Sequence, residues 1–97
     1  IRDRSKVDLK KPDMYYVIMH NDDVTTMEFV ISVLMSVFFK SETEAEDLMM
    51  KVHIEGQATV GTYNSKDVAQ SKACKAEAMA RANMFPLQLT VEEHPVR

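Results

Sequence analysis

The chain has 97 residues, 45% of them hydrophobic and 28% charged, with 12 basic against 15 acidic side chains for a net charge of −3. That describes one globular domain with room for a core, and it excludes a bilayer span, which would need ~20 consecutive apolar residues. The acidic balance and the scatter of Lys and Arg exclude nucleic acid as the main partner, because phosphate binding needs a basic stripe.

Residues 1–13, IRDRSKVDLKKPD, are polar, aperiodic and punctuated by Pro12, and read as a flexible arm ahead of a core domain at 14–97. The chain opens on Ile1 rather than Met, so further sequence is expected before it. MYYVIMH (14–20) is rich in β-branched and aromatic residues and runs into the polar NDD, which predicts a strand and a turn. Thr25 and Glu28 stand at capping-box spacing and predict a helix through MEFVISVLMSVFF (27–39). Apolar nearly all round, that helix is expected to be the most buried element. Ser41 and Glu44 repeat the spacing and open a second helix through about Ile54, with Gly56 placed to end it. QATVGTYN (57–64) reads as a second strand, in which Gly61 marks a bulge or a close approach. Ser65 caps a third helix, KDVAQSKACKAEAMARA, whose alanines favour helix and permit close packing, and Asn83 ends it. PLQLTVEE (86–93) alternates as a final strand. The order β-α-α-β-α-β predicts an α+β sandwich, a three-stranded antiparallel sheet packed against three helices.

Few motifs carry chemistry. Gly56 and Gly61 make no phosphate loop, and His20, His53 and His94 lack the spacing of a zinc site. No cofactor and no metal is expected, and nothing specifies a Ser/His/Asp arrangement. The lone Cys74 cannot form an internal disulfide and is expected as a buried or neutral thiol. Without a secretory pattern, a cytoplasmic protein is expected.

What remains is the second helix, where Met49, Val52 and His53 share one face, and the NDD turn before Met27. If the first two helices are neighbours, a pocket at their junction has methionine walls and a rim of Asn21, Asp22, Asp23 and His53. Acceptors and an imidazole around an apolar hole suit a ligand with a cationic amine and a hydrophobic tail. Two other readings fit the same residues. One is a polar turn, a helix cap and a core histidine; the other is a metal-dependent enzyme on Asp22, Asp23 and His53, which would bind a divalent ion. The eight methionines suit irregular core filling or an adaptable binding surface.

Four segments in register, NDDVTTMEFV, LMMKVHIEG, KDVAQSKA and FPLQLTVEE, resemble the successive signatures of ClpS, the bacterial adaptor family of the Clp protease. The resemblance runs from about Lys11 to Glu93 without a large insertion. It implies a non-enzymatic adaptor that binds N-degrons, protein N-termini beginning with Phe, Tyr, Trp or Leu, and delivers them to the ClpA unfoldase of the ClpAP protease. Asn21, Asp23 and His53 match the contacts to the substrate α-amino group, with Asp22 beside them. Thr25, Met27, Val30, Met49, Val52 and Leu87 match the hydrophobic side-chain pocket. Asp67 and Lys72 match the face that docks on the N-terminal domain of the ClpA-type AAA+ unfoldase, and a monomer is expected. The chain departs from the family at Val24 and Thr26, where Tyr and Pro are usual, at His20, usually apolar, and at Phe85, usually His. The fold is also similar to the C-terminal domain of the ribosomal stalk protein, so the alternative is a translation-related interaction domain.

Overall fold

A computed structural model describes residues 13–94, so the expected arm at 1–12 and residues 95–97 lie outside the described residues. The elements are β1 (Met14–His20), α1 (Met27–Ser36), α2 (Glu42–Glu55), β2 (Gln57–Tyr63), α3 (Lys66–Ala82) and β3 (Gln88–His94). The expected α+β sandwich is the observed fold. The most apolar strand, β1, takes the middle of the sheet in the order β2-β1-β3, antiparallel to both neighbours. Its Val17 and Met19 are fully buried and join Ala58, Val60, Leu87 and Leu89 beneath the helices. No helix among the described residues is long and apolar enough to cross a membrane.

Helix α3 packs on all three strands, and α2 packs between β2 and α1. Ala69, Ala73, Ala76 and Ala80 line the buried side of α3 at helical spacing, and a seam of methyl groups lets the helix approach the sheet closely. Cys74, expected as a buried or neutral thiol, is exposed, because the residue after Ala73 is rotated ~100° from that seam. In β2, Val17 pairs with Gly61 and Ile18 with Thr59, so the bulge expected at Gly61 is present with Val60 as the extra residue. A Cβ at position 61 would lie 2.7 Å from the Tyr63 ring, which explains the glycine. On the far side of β3 the Leu89 amide donates to Glu77 Oε2 at 2.9 Å, a carboxylate supplied by α3.

Further expectations are corrected. Helix α1 is not the most buried element: Val30, Val33 and Leu34 are buried, but Met27 and Met35 stand 46% and 41% exposed. Its main neighbour is α2, with Phe29 resting on Phe85, and Met27 and Met35 stand on the exposed part of its surface. It also stops at Ser36, with Phe39 at φ 55° and the Lys40 amide bonded to Leu34 O at 3.0 Å. Strand β3 starts at Gln88 rather than Pro86, since Pro has no amide for the ladder and Arg81 Nη1 takes the Phe85 and Leu87 carbonyls, each at 2.9 Å.

The first cap also differs. The Thr25–Glu28 capping box does not form; Thr26 is the N-cap, and its hydroxyl accepts from the Phe29 amide at 3.2 Å. Thr25 is diverted because its own hydroxyl donates to Asp22. At α2 the Ser41–Glu44 box is complete, and Gly56 ends the helix in the left-handed region at φ 89°.

Candidate functional site

The loop between β1 and α1 is built around one carboxylate. Asp22 Oδ1 accepts from the Val24 amide at 2.8 Å and the Thr25 amide at 2.6 Å, while Oδ2 accepts from the Thr25 hydroxyl at 2.7 Å. This is an Asx-type turn closed twice over. Partial burial pushes the Asp22 carboxyl up, but the bonds from Thr25 and Val24 and the charge of Arg81 outweigh it and hold the group below its ordinary value. At the other end the Asn21 amide donates to Gly56 O at 2.9 Å, tying the loop to the end of α2. His53 sits in the last turn of that helix.

These ties bring the expected polar residues together. Asn21, Asp22, Asp23 and His53 rim a cleft of about 380 Å³ between the loop, α1 and α2. Its walls include Thr25, Met27, Val30, Met49 and Val52, as the sequence suggested. Leu87 lines a smaller adjoining cavity together with Val30 and Val52, and so lies under the floor rather than in the wall. Val30, Met49 and Val52 are buried, whereas Met27 stands at the opening. Thr26 also lines the cleft, a position that pocket reasoning from sequence passes over because its N-cap role emerges only once Asp22 has claimed Thr25.

The rim divides by role. Both Asp22 oxygens serve the loop, whereas among the described residues the side chains of Asn21, Asp23 and His53 have no protein hydrogen-bond partner. An amide oxygen, a free carboxylate and an imidazole therefore face solvent over an apolar floor. No group of three His, Cys, Asp or Glu side chains among the described residues is arranged to hold a metal ion.

The two remaining candidates lie on α3, away from the cleft. Asp67 is exposed in its first turn. Lys72 is half-buried: its Nζ donates to Val37 O at 3.0 Å and lies 4.3 Å from the centre of the Phe39 ring. Helix α1 has no basic residue in its last turn, so a lysine from α3 closes its C-terminal end.

Residues 10–90 match the family described as ATP-dependent Clp protease adaptor protein ClpS. The chain belongs to that family. The ClpS adapter protein of Myxococcus xanthus is 48% identical over 87 residues, which cover 90% of this chain and 80% of the relative. That of Treponema denticola is 51% identical over 83 residues, 86% and 81% of the two chains. The solved structure of Agrobacterium tumefaciens ClpS2 bound to L-phenylalaninamide is similar at a TM-score of 0.82 and 38% identity, covering 87% of this chain and 100% of that one. The ClpS fold and the cleft are thus found on one chain, and the relatives are named as protease adapters.

Proposed function

We propose that this ClpS-family protein is a non-enzymatic adaptor that captures substrate proteins by an N-terminal Phe, Tyr, Trp or Leu and delivers them to a ClpA-type unfoldase for degradation. The observation that carries this reading is the cleft itself, which sets unpartnered polar groups around an apolar throat. An ammonium entering it gives up water and takes acceptors from Asn21, Asp23 and His53 in exchange; unpaired, the same charge would be costly to bury. Asp22 acts one step back, by holding the loop in shape. The volume of about 380 Å³ lies at the small end of ligand pockets, enough for one large side chain. L-Phenylalaninamide, carried by the Agrobacterium relative, combines a free α-amine with a benzyl side chain, and this cleft has groups for each.

For delivery, the face of α3 carrying Asp67 and Lys72 docks on the N-terminal domain of the unfoldase, and the adaptor acts as a monomer. A stalk-like interaction domain would need the fold but not the cleft. Titrating the protein with a short Phe-initiated peptide, free or acetylated at its α-amine, tests the reading. The free peptide is expected to bind and the acetylated one to fail; equal binding of both would refute it.

A further inference from the structure

Val24 is a wall of two cavities at once. It lines the cleft, and on its other side it lines an open groove of about 590 Å³ bounded by Arg81, Met84, Phe85, Pro86 and Gln88. The far wall of that groove is rigid. Helix α3 ends with Met84 in the left-handed region at φ 62°, with the Phe85 amide donating to Ala80 O at 2.8 Å and the Met84 amide to Arg81 O at 3.0 Å. That is a Schellman closure with methionine at the position glycine usually takes. The Phe85 ring packs against Phe29 with centroids 4.9 Å apart, and Arg81 holds the Phe85 and Leu87 carbonyls from behind. On this frame Met84 is 88% exposed and Val24 59% exposed.

We propose that this groove receives the side chain of the substrate's second or third residue and favours an apolar one there, an inference that rests on the N-terminal-residue reading of the cleft. A chain held by its first residue leaves past the rim, and Val24 makes the groove continuous with that exit. An extended chain advances ~3.3 Å per residue, so its second and third residues are the ones within reach. The most exposed apolar side chains they meet are Val24 and Met84, set beside the polar Arg81 and Gln88, and a flexible thioether accommodates side chains of differing shape. Asp23 at the neighbouring rim disfavours an acidic residue in the same place. Because the turn is already fixed, little order is lost when it is covered.

The test uses two Phe-initiated peptides, one with Ala and one with Leu at both the second and third positions, titrated against the wild type and Met84→Asn. Asn enters the left-handed region readily, so the turn is kept while the apolar wall is lost. The wild type is expected to bind the Leu peptide roughly three- to tenfold more tightly than the Ala peptide, the gain from covering part of an aliphatic side chain. In Met84→Asn the preference should shrink below about twofold, with the Ala peptide bound as before. Equal binding of the two peptides by the wild type overturns the inference and leaves the cleft reading standing, as does an undiminished preference in the variant. If neither Phe-initiated peptide binds, the cleft reading fails and takes this inference with it.

Discussion

Replacing Asp22 by Ala removes the acceptor of three hydrogen bonds, at 2.8, 2.6 and 2.7 Å, and leaves the loop over residues 21–26 without its centre. Buried bonds to a charged group contribute ~1.5–3 kcal/mol each, but this carboxylate is only half-buried, so about 1 kcal/mol apiece is the fitting scale. The order of the loop then weakens by ~2–3 kcal/mol, and a ligand that needs the ordered loop must restore it on binding. Affinity for a Phe-initiated peptide should fall roughly 30- to 150-fold by calorimetry, and the Val24 and Thr25 amides should exchange with solvent faster by a similar factor. Asp22→Asn is the informative partner. Its amide oxygen still accepts from both backbone amides and its NH2 can donate to the Thr25 hydroxyl, so the loss should stay below about threefold. If Asn proves as damaging as Ala, the Asp22 charge contacts the ammonium directly and the loop-shaping role is wrong. Unchanged affinity in Asp22→Ala would mean that the loop is held by something else.

Met27 stands at the opening of the cleft, where a β-branched residue has few χ1 choices with which to avoid it; Met27→Ala should improve Ile- and Val-initiated peptides by roughly 5- to 100-fold over Leu-initiated ones. An unchanged Leu-to-Ile preference would remove Met27 as the gate. An imidazole nitrogen of His53 is placed at the rim to accept from the ammonium, so His53→Ala should weaken a Phe-initiated peptide roughly tenfold by calorimetry; unchanged affinity would leave that histidine a structural role only. Strong acid should weaken peptide binding through Asp22. Its folded pKa is lowered, so the loop order it provides is fully present above its unfolded value and is lost only as pH falls through the still lower folded value, in strongly acid solution. Asp67→Lys should weaken unfoldase binding, read by pull-down or calorimetry, and leave peptide affinity alone, with only a small loss of melting temperature because a lysine opposes the dipole in the first turn of α3. Lys72→Glu should cost ~1–2 kcal/mol of folding stability as well, since that lysine closes α1 and covers Phe39; a melting curve equal to wild type would deny the cap.

Wherever one physical preference acted alone, the sequence was readable. The β-branched run of β1, the Ser41–Glu44 box with Gly56 behind it, and the alanine-rich α3 each appear as expected. Misreadings occurred where two groups competed for one partner. Thr25 and Thr26 both stand at the entrance to α1, and spacing favours Thr25; only the fold reveals that Asp22 claims it first. Likewise PLQLTVEE alternates from its first residue, yet Arg81 takes the carbonyls on either side of Pro86 and delays the ladder. The polar rim was legible as a set because Asn21, Asp22 and Asp23 are consecutive and His53 lies on a neighbouring helix. The separate task of Asp22 was not, since adjacent carboxylates look alike until their donors are known. Nor was Met84 at the left-handed end of α3, where propensity names glycine or asparagine instead.

The Glu77 carboxylate on the Leu89 amide matters for the company an adaptor keeps. A protein of the proposed kind meets unfolded chains, and the open side of an outer strand is where such chains add themselves to a sheet. On β3 the Leu89 amide, near the start of that side, is already occupied by a negative oxygen, which satisfies the donor and repels an incoming carbonyl. There the sheet ends at its third strand. In the proposed role, a polypeptide held in the cleft by its first residue meets an edge already closed at Leu89, which disfavours its pairing with the sheet there.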